Sequence, residues 1–287
     1  MIYSYLVILL TSRVIDMVVI KKSITLSLMM ASFLFFAGNC LASDTFNTRG
    51  TYFGVFGGTG SSMGSSVQQV GTVITSSPRV PDINVNANGF NGSARASVAG
   101  LKLGYEWSGW SSMNSKWILR PAAELEGIYL NSTSDSVLDI TPYALGTQYV
   151  SLPLSAKIVL ANAVLSIKTP FSDIFIPYIG GGVGGAWLSV RGSNSTNPTE
   201  PGINHFNSNP NASTSALAMQ AKAGIRGQIN RNLAIFMEYR YLSIQSSSYT
   251  FGATSYPGVH LPTTNWNVNV GRQAYNLVAA GIEYRFD

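Results

Sequence analysis

Few residues in this sequence could do covalent chemistry. There are two histidines, His205 and His260, and Ser193, Ser195 and Ser208 lie near the first. A histidine beside a serine hydroxyl is the least that a base-activated nucleophile requires. Both histidines fall in Ser/Asn/Gly-rich stretches between apolar segments, so they read as solvated loop residues and no catalytic residue is assigned. No group of His, Cys, Asp and Glu has the spacing of a metal site, so neither metal nor cofactor is expected. The run GGGVGG at 180–185 is not a phosphate loop, because no Lys-Ser/Thr and no helical pattern follow it. Glu124 and Glu126 lie two apart and would share one face of a strand, the one arrangement here that could pair two acids.

The charged residues that remain have a regular placement, and the elements that carry them explain it. Eight segments alternate between apolar and polar residues: 50–58, 97–107, 117–130, 148–164, 176–190, 216–229, 232–244 and 274–286. A strand sends successive side chains to opposite faces. In 97–107, Ala99, Leu101, Leu103 and Tyr105 oppose Lys102 and Glu106. In 117–130, Leu119, Ala123, Leu125 and Tyr129 oppose Arg120, Glu124 and Glu126. In 148–164, Leu152, Leu154, Ala156, Ile158 and Leu160 oppose Lys157. The later segments set Lys222, Arg226, Glu238, Arg240, Glu283 and Arg285 against Leu217, Met219, Ile225, Met237, Ile282 and Tyr284. Segments 50–58 and 176–190 are too rich in glycine for their faces to be told apart.

Composition decides which face is inside. Of 287 residues only 11% are charged while 46% are hydrophobic, with 28 Gly, 13 Phe and 14 Tyr. An average soluble domain has about 25% charged residues. Beyond residue 44 no apolar run is long enough for a transmembrane helix. Low charge, many aromatics and alternating segments fit a membrane barrel with apolar residues outward and polar residues inward. The gaps between segments run long, short, long, short, long, short, long. Such a layout places short turns on one side of a membrane and long loops on the other. The fold class expected is all-β: an eight-stranded antiparallel up-and-down transmembrane β-barrel, its eighth strand paired with its first because lipid leaves no sheet edge unsatisfied.

An interior of eight strands is just wide enough to be filled by side chains. The polar face supplies seven bases (Lys102, Arg120, Lys157, Lys222, Arg226, Arg240, Arg285) and five acids (Glu106, Glu124, Glu126, Glu238, Glu283). The reading is a salt-bridge network that plugs the lumen. Trp107, Trp117, Tyr129, Tyr239, Tyr241, Tyr284 and Phe286 stand near strand ends, as in the aromatic girdles of membrane interfaces. A soluble lipocalin-like carrier would need the opposite arrangement, with an apolar cavity.

The N-terminal part reads as targeting sequence. Lys21-Lys22, the apolar stretch ITLSLMMASFLFFAG and a small-residue site near Ala42-Ser43 make a cleaved secretory signal peptide, with Met17 a second candidate start. Domains are therefore expected at 1–43 (extension plus signal) and 44–287 (barrel). The single cysteine, Cys40, lies inside the signal, so the mature part has no thiol chemistry. The whole chain carries +5, and residues 44–287 keep 15 bases and 12 acids, too mild and too scattered for a nucleic-acid surface.

The stretches SALAMQAKAGIRGQINRNLAIFMEYRYL and LVAAGIEYRF, with PYIGGGVGGAWL and TYFGVFGG before them, resemble the small outer-membrane barrels of the opacity-protein and OmpA-like transmembrane superfamily. The resemblance spans roughly 50–286. It implies a protein of the Gram-negative outer membrane, exported by the secretory pathway, with periplasmic chaperones, the outer-membrane assembly machinery and outer-membrane lipid as partners. In that family the terminal aromatics are read during assembly, a role that falls here on Tyr284 and Phe286. It also makes Glu124 and Glu126 ion-pair partners in the lumen rather than a catalytic pair. The function expected is a non-enzymatic surface protein that supports the envelope. Its long loops, with Phe206, Tyr249, Phe251, Tyr256 and Trp266, would offer adhesion to a host-cell or surface ligand. The alternatives are a narrow porin-like channel for small solutes and an outer-membrane lipid-modifying enzyme.

Overall fold

A computed structural model describes residues 50–286, apart from 76–77, 112–116, 143–145 and 173. The signal-peptide segment and Cys40 lie outside the described residues. Fourteen strands are described: β1 (Gly50–Ser62), β2 (Ser66–Val73), β3 (Ile83–Asn91), β4 (Arg95–Glu106), β5 (Trp110–Ser111), β6 (Ile118–Thr141) and β7 (Thr147–Lys168). They continue as β8 (Phe175–Val190), β9 (Asn194–Thr196), β10 (Ala212–Gln228), β11 (Leu233–Ile244), β12 (Ser247–Phe251), β13 (Trp266–Val270) and β14 (Gln273–Arg285).

Eight of them, in the order β1-β4-β6-β7-β8-β10-β11-β14, close an antiparallel barrel. Closure is made by β1 and β14, in register from Tyr52 with Arg285 to Ser62 with Tyr275. No backbone edge is then left to lipid. At one end the connections are tight. Between β10 and β11 the Asn230 side chain accepts from the amides of Asn232 and Leu233, at 3.0 and 2.8 Å, so a single side chain turns the chain.

The other end differs from expectation. The stretches 59–96, 131–147, 191–215 and 245–273 read as long loops, but much of each is strand. β6 and β7 have 24 and 22 residues, against 12 or 13 in β1, β4, β11 and β14. The excess of about ten residues projects roughly 33 Å beyond the barrel at 3.3 Å per residue. This hairpin is the spine of a second sheet, ordered β12-β13-β2-β3-β6-β7-β9. Ser, Asn and Thr are what the outer face of such a sheet needs in water, and the same composition in sequence is easily taken for loop.

Sidedness follows the surroundings. Leu101, Leu103, Leu125, Val159, Ile179, Val183, Ile225 and Ile282 are exposed on the barrel wall. Tyr105 lies near the tight-turn end, and Tyr129 pairs with Ala99 on the same neighbouring strand. The six steps between these levels span about 20 Å, close to the apolar band of a membrane barrel. Trp107, Trp117, Tyr284 and Phe286 are exposed near the tight-turn end, and Tyr129, Trp187 and Tyr239 at the upper level. The second sheet instead shows water Gln68, Asn86, Asn88, Asn267 and Asn269, and buries Val67, Val85, Leu138, Ile140, Val268 and Val270.

Candidate functional site

Five cations and five carboxylates meet inside the barrel: Lys102, Lys222, Arg226, Arg240 and Arg285 with Glu106, Glu124, Glu126, Glu238 and Glu283, all buried. Glu106 pairs with Arg226 at 3.2 Å and Arg285 at 3.3 Å. Glu283 pairs with Arg285 at 3.0 Å, Arg226 at 3.1 Å and Lys102 at 3.2 Å. Lys222 bridges Glu124 and Glu126, and Arg240 bridges Glu126 and Glu238. These contacts form a ladder along the axis in which neighbouring charges alternate and the net charge is zero. A buried ion left alone costs several kcal/mol, so neutrality is the condition for filling a lumen in this way.

Neutral groups take up remaining valences. The Tyr52 hydroxyl donates to Glu124 at 3.1 Å and the Tyr178 hydroxyl to Glu238 at 2.8 Å. Asn162 donates to both Glu124 and Glu126, Gln220 to Glu126, and Ser166 to Glu106. Rings cover the cations: Lys102 Nζ lies 3.6 Å from the centre of Phe236, and the Arg240 guanidinium 3.9 Å from that of Phe56. Glycines make room for them. A Cβ at Gly281 would come within 2.7 Å of Phe236, one at Gly224 within 2.8 Å of Tyr178, and one at Gly54 within 2.8 Å of the Lys102 stem. The Gly-rich β8 turns Gly180, Gly182 and Gly184 to the lumen, where Lys222 and Asn162 need space.

Two sequence-derived members stand elsewhere. Lys157 is exposed on the outer wall, level with Tyr129 and Trp187, and not in the lumen; this corrects the reading of β7. Its strand is apolar on both faces, so one charge was a poor guide. Inward are Ala156, Ile158, Leu160, Asn162 and Val164; outward, Ser155 and Lys157 give way to Val159, Ala161 and Ala163. Lys157 is the last polar residue before the apolar band, where a lysine reaches the interface with its stem on the wall. Arg120 is on the inner face at the tight-turn end, half-buried, with no ion pair among the described residues. Without these two, seven bases become five. Sequence reasoning missed Tyr52, Asn162, Ser166 and Tyr178, while the alternation of 216–229 already put Gln220 on the polar face. Asn162 was the available signal, because a polar residue facing lipid would have been the costlier placement.

The histidines lie on connections between strands, as expected, but they are not solvated. His205 is buried and His260 partly so; their rings meet edge to face with centres 5.5 Å apart, inside the second sheet. Glu200 lies between them, 3.0 Å from His205 Nε2 and 3.3 Å from His260 Nε2. Gln148 on β7 reaches His205 Nδ1 at 2.9 Å and Ser195 Oγ at 2.7 Å. Burial pushes the His205 imidazole below its usual pKa, against the upward pull of the Ser195 carbonyl and Glu200. Ser193 and Ser208 make no hydroxyl contact with either ring among the described residues; Ser195 Oγ donates to Gln69 at 2.9 Å. The aromatics are interior too: Phe206, Tyr249, Phe251 and Trp266 are buried, and Phe206 stacks on Phe251 with centres 4.3 Å apart.

With this geometry in view, known proteins offer a likeness of architecture. No family model matches the chain, and no curated protein sequence matches it. Among solved structures, Neisserial surface protein A is 14% identical, with 82% of this chain and 97% of that chain covered and a TM-score of 0.38. OprG of Pseudomonas aeruginosa is 15% identical, with 85% and 99% covered and a TM-score of 0.43. Ail of Yersinia pestis is 14% identical, with 83% and 100% covered and a TM-score of 0.30. The likeness is in fold. Activity and ligand are not carried by it.

Proposed function

We propose that this chain is an integral outer-membrane surface protein of a Gram-negative bacterium whose barrel is a sealed anchor and whose projecting sheet is the part presented outside. The observation that supports this reading is the inversion of the wall: apolar residues face out and a neutral ion ladder lies within. Such a surface is stable only in a bilayer, and the ladder leaves no free charge along the middle of the lumen to lead an ion through; Arg120 stands outside it, at the tight-turn mouth. The tight-turn end would face the periplasm, after secretory export. Tyr284 and Phe286, exposed and in edge-to-face contact with centres 5.2 Å apart, would serve as the assembly signal.

The projecting sheet supports a recognition role. Its outer face is mostly polar and little charged, apart from one exposed apolar row, Phe90, Val137 and Tyr149, across β3, β6 and β7. Asn269 donates to Gln68 and Gln68 to Asn86, each at 3.2 Å, with Thr250 donating to Asn267 at 2.8 Å and Thr72 to Asn84 at 3.0 Å. A rigid amide ladder of this kind can match the hydroxyls and amides of a surface ligand.

Planar-bilayer recording of the refolded barrel tests the sealed lumen. Wild type is expected to show no steady conductance. A stable conductance of fixed size in wild type would overturn the reading and favour a narrow channel. Protease added to intact cells tests the orientation: cuts confined to the connections of the projecting sheet are expected, and cuts at 169–174 or 229–232 would overturn it.

A further inference from the structure

The chain's two histidines come together on one carboxylate, in a pocket of mixed polar and apolar lining beneath the projecting sheet. We propose that Glu200, His205 and His260 form a binding site for a divalent transition-metal ion of the zinc type.

Three independent features support it. The first is distance. The ligand atoms of all three residues lie within 4.8 Å of one another. With metal–ligand bonds of about 2.0–2.1 Å, the edge of a tetrahedral site is roughly 3.3–3.4 Å. His205 Nε2 lies 3.0 Å from one carboxylate oxygen of Glu200 and His260 Nε2 3.3 Å from the other, so an ion would be held by both oxygens or by one after a small turn of the carboxylate. The histidine-to-histidine edge closes by a small movement of His260, which is the less buried ring.

The second is the hold on the outer nitrogens. His205 Nδ1 lies 3.0 Å from the Ser195 carbonyl, and His260 Nδ1 lies 2.5 Å from the Leu261 carbonyl. An Nδ1–H donated to a carbonyl fixes the tautomer whose Nε2 lone pair is free, the usual support of a metal-bound histidine. Both free lone pairs then point at Glu200, whose oxygens also only accept. A cation between them resolves three acceptors facing each other. The competing arrangement for His205 is Nε2–H donated to Glu200 while Nδ1 accepts from Gln148, and it needs no metal. The two differ in where the proton lies, so they can be told apart.

The third is room. The three residues border a cavity of about 110 Å³ that Asn197, Thr199 and Trp266 also line. That volume holds water as a fourth ligand, and Glu200, 36% exposed, gives the ion a way in. Imidazole with one carboxylate suits zinc, nickel, cobalt or copper, whereas calcium and magnesium seek oxygen ligands. Bound metal would tie the segment at 197–206 to that at 254–266.

Titration calorimetry of the tag-free refolded barrel with Zn²⁺ alone tests the proposal. One ion per chain is expected, with affinity reduced at least tenfold in His260→Ala and in Glu200→Gln. Co²⁺ on the same protein should give the visible absorption of a four-coordinate nitrogen–oxygen site, lost in His205→Gln. Because His205 is buried, His260→Ala guards against a folding failure: its ring is peripheral, and circular dichroism should match wild type. Absence of zinc binding by folded wild type would overturn the proposal. So would binding that survives in all three variants, or ¹⁵N shifts that show protonated Nε2 on His205 in the presence of excess zinc.

Discussion

The lumen of the barrel and the core of the projecting sheet are built by the same strands on opposite plans. Along β6 the even-numbered residues face inward throughout. Low on the strand they are Glu124 and Glu126, and high on it Ile128, Leu130, Leu138 and Ile140. The outward residues change in the reverse sense, from Ala123 and Leu125 to Asn131, Thr133, Asp135 and Asp139, with Val137 the one apolar exception. Nothing in the backbone changes at the crossing; the solvent does. Where lipid lies outside, the wall satisfies lipid and the interior must neutralise itself. Where water lies outside, the hydrophobic effect drives apolar groups inward as in any soluble sheet. A barrel of this design is a water-facing β-core grown on a lipid-facing anchor.

The contrast can be broken from either side. Phe251→Ala should cost about 3–5 kcal/mol, as loss of a large buried ring does, and confine its damage to the projecting sheet. Limited proteolysis should then cut within 245–273 while the barrel stays closed; joint loss of both regions would mean that they fold as one. Arg240→Met, which removes the cation paired with Glu238, should cost about 3–5 kcal/mol, because it leaves a buried carboxylate uncompensated. Adding Glu238→Gln should recover much of that in equilibrium unfolding from bilayers. If the double variant were no better than the single, pairing would not be what organises the lumen. Gly281→Ala drives a methyl group at the Val55 carbonyl and the Phe236 ring and should destabilise by about 1–3 kcal/mol through overpacking. The smallest effect should come from Lys157→Gln, which leaves the unfolding midpoint unchanged, as a residue outside the ladder must. A loss as large as that of Arg240→Met would return Lys157 to the lumen.

How much could be read beforehand depended on how sharply the solvent marks a position. Six of the seven predicted lumen bases, and all five acids, are charged residues on stretches whose other face is apolar, and periodicity placed them on the inner face; of the six bases only Arg120 stays out of the ladder. Lys157 was misplaced because its strand is apolar on both faces where it crosses the water boundary. The polar outward residues of β6 above Leu130 were taken for loop because a solvated sheet and a loop use the same amino acids.

The sequence by itself determined the eight barrel strands, the sidedness of five of them and the acids and bases of the ladder, because where one face is charged and the other uniformly apolar a period of two against a bilayer leaves one solution. Only the tertiary structure decided who pairs with whom in the ladder, that the long connections make a sheet, and that Glu200, His205 and His260 share one pocket. Those facts join residues far apart in the chain, and no local pattern records a contact that closes only when the strands are laid side by side.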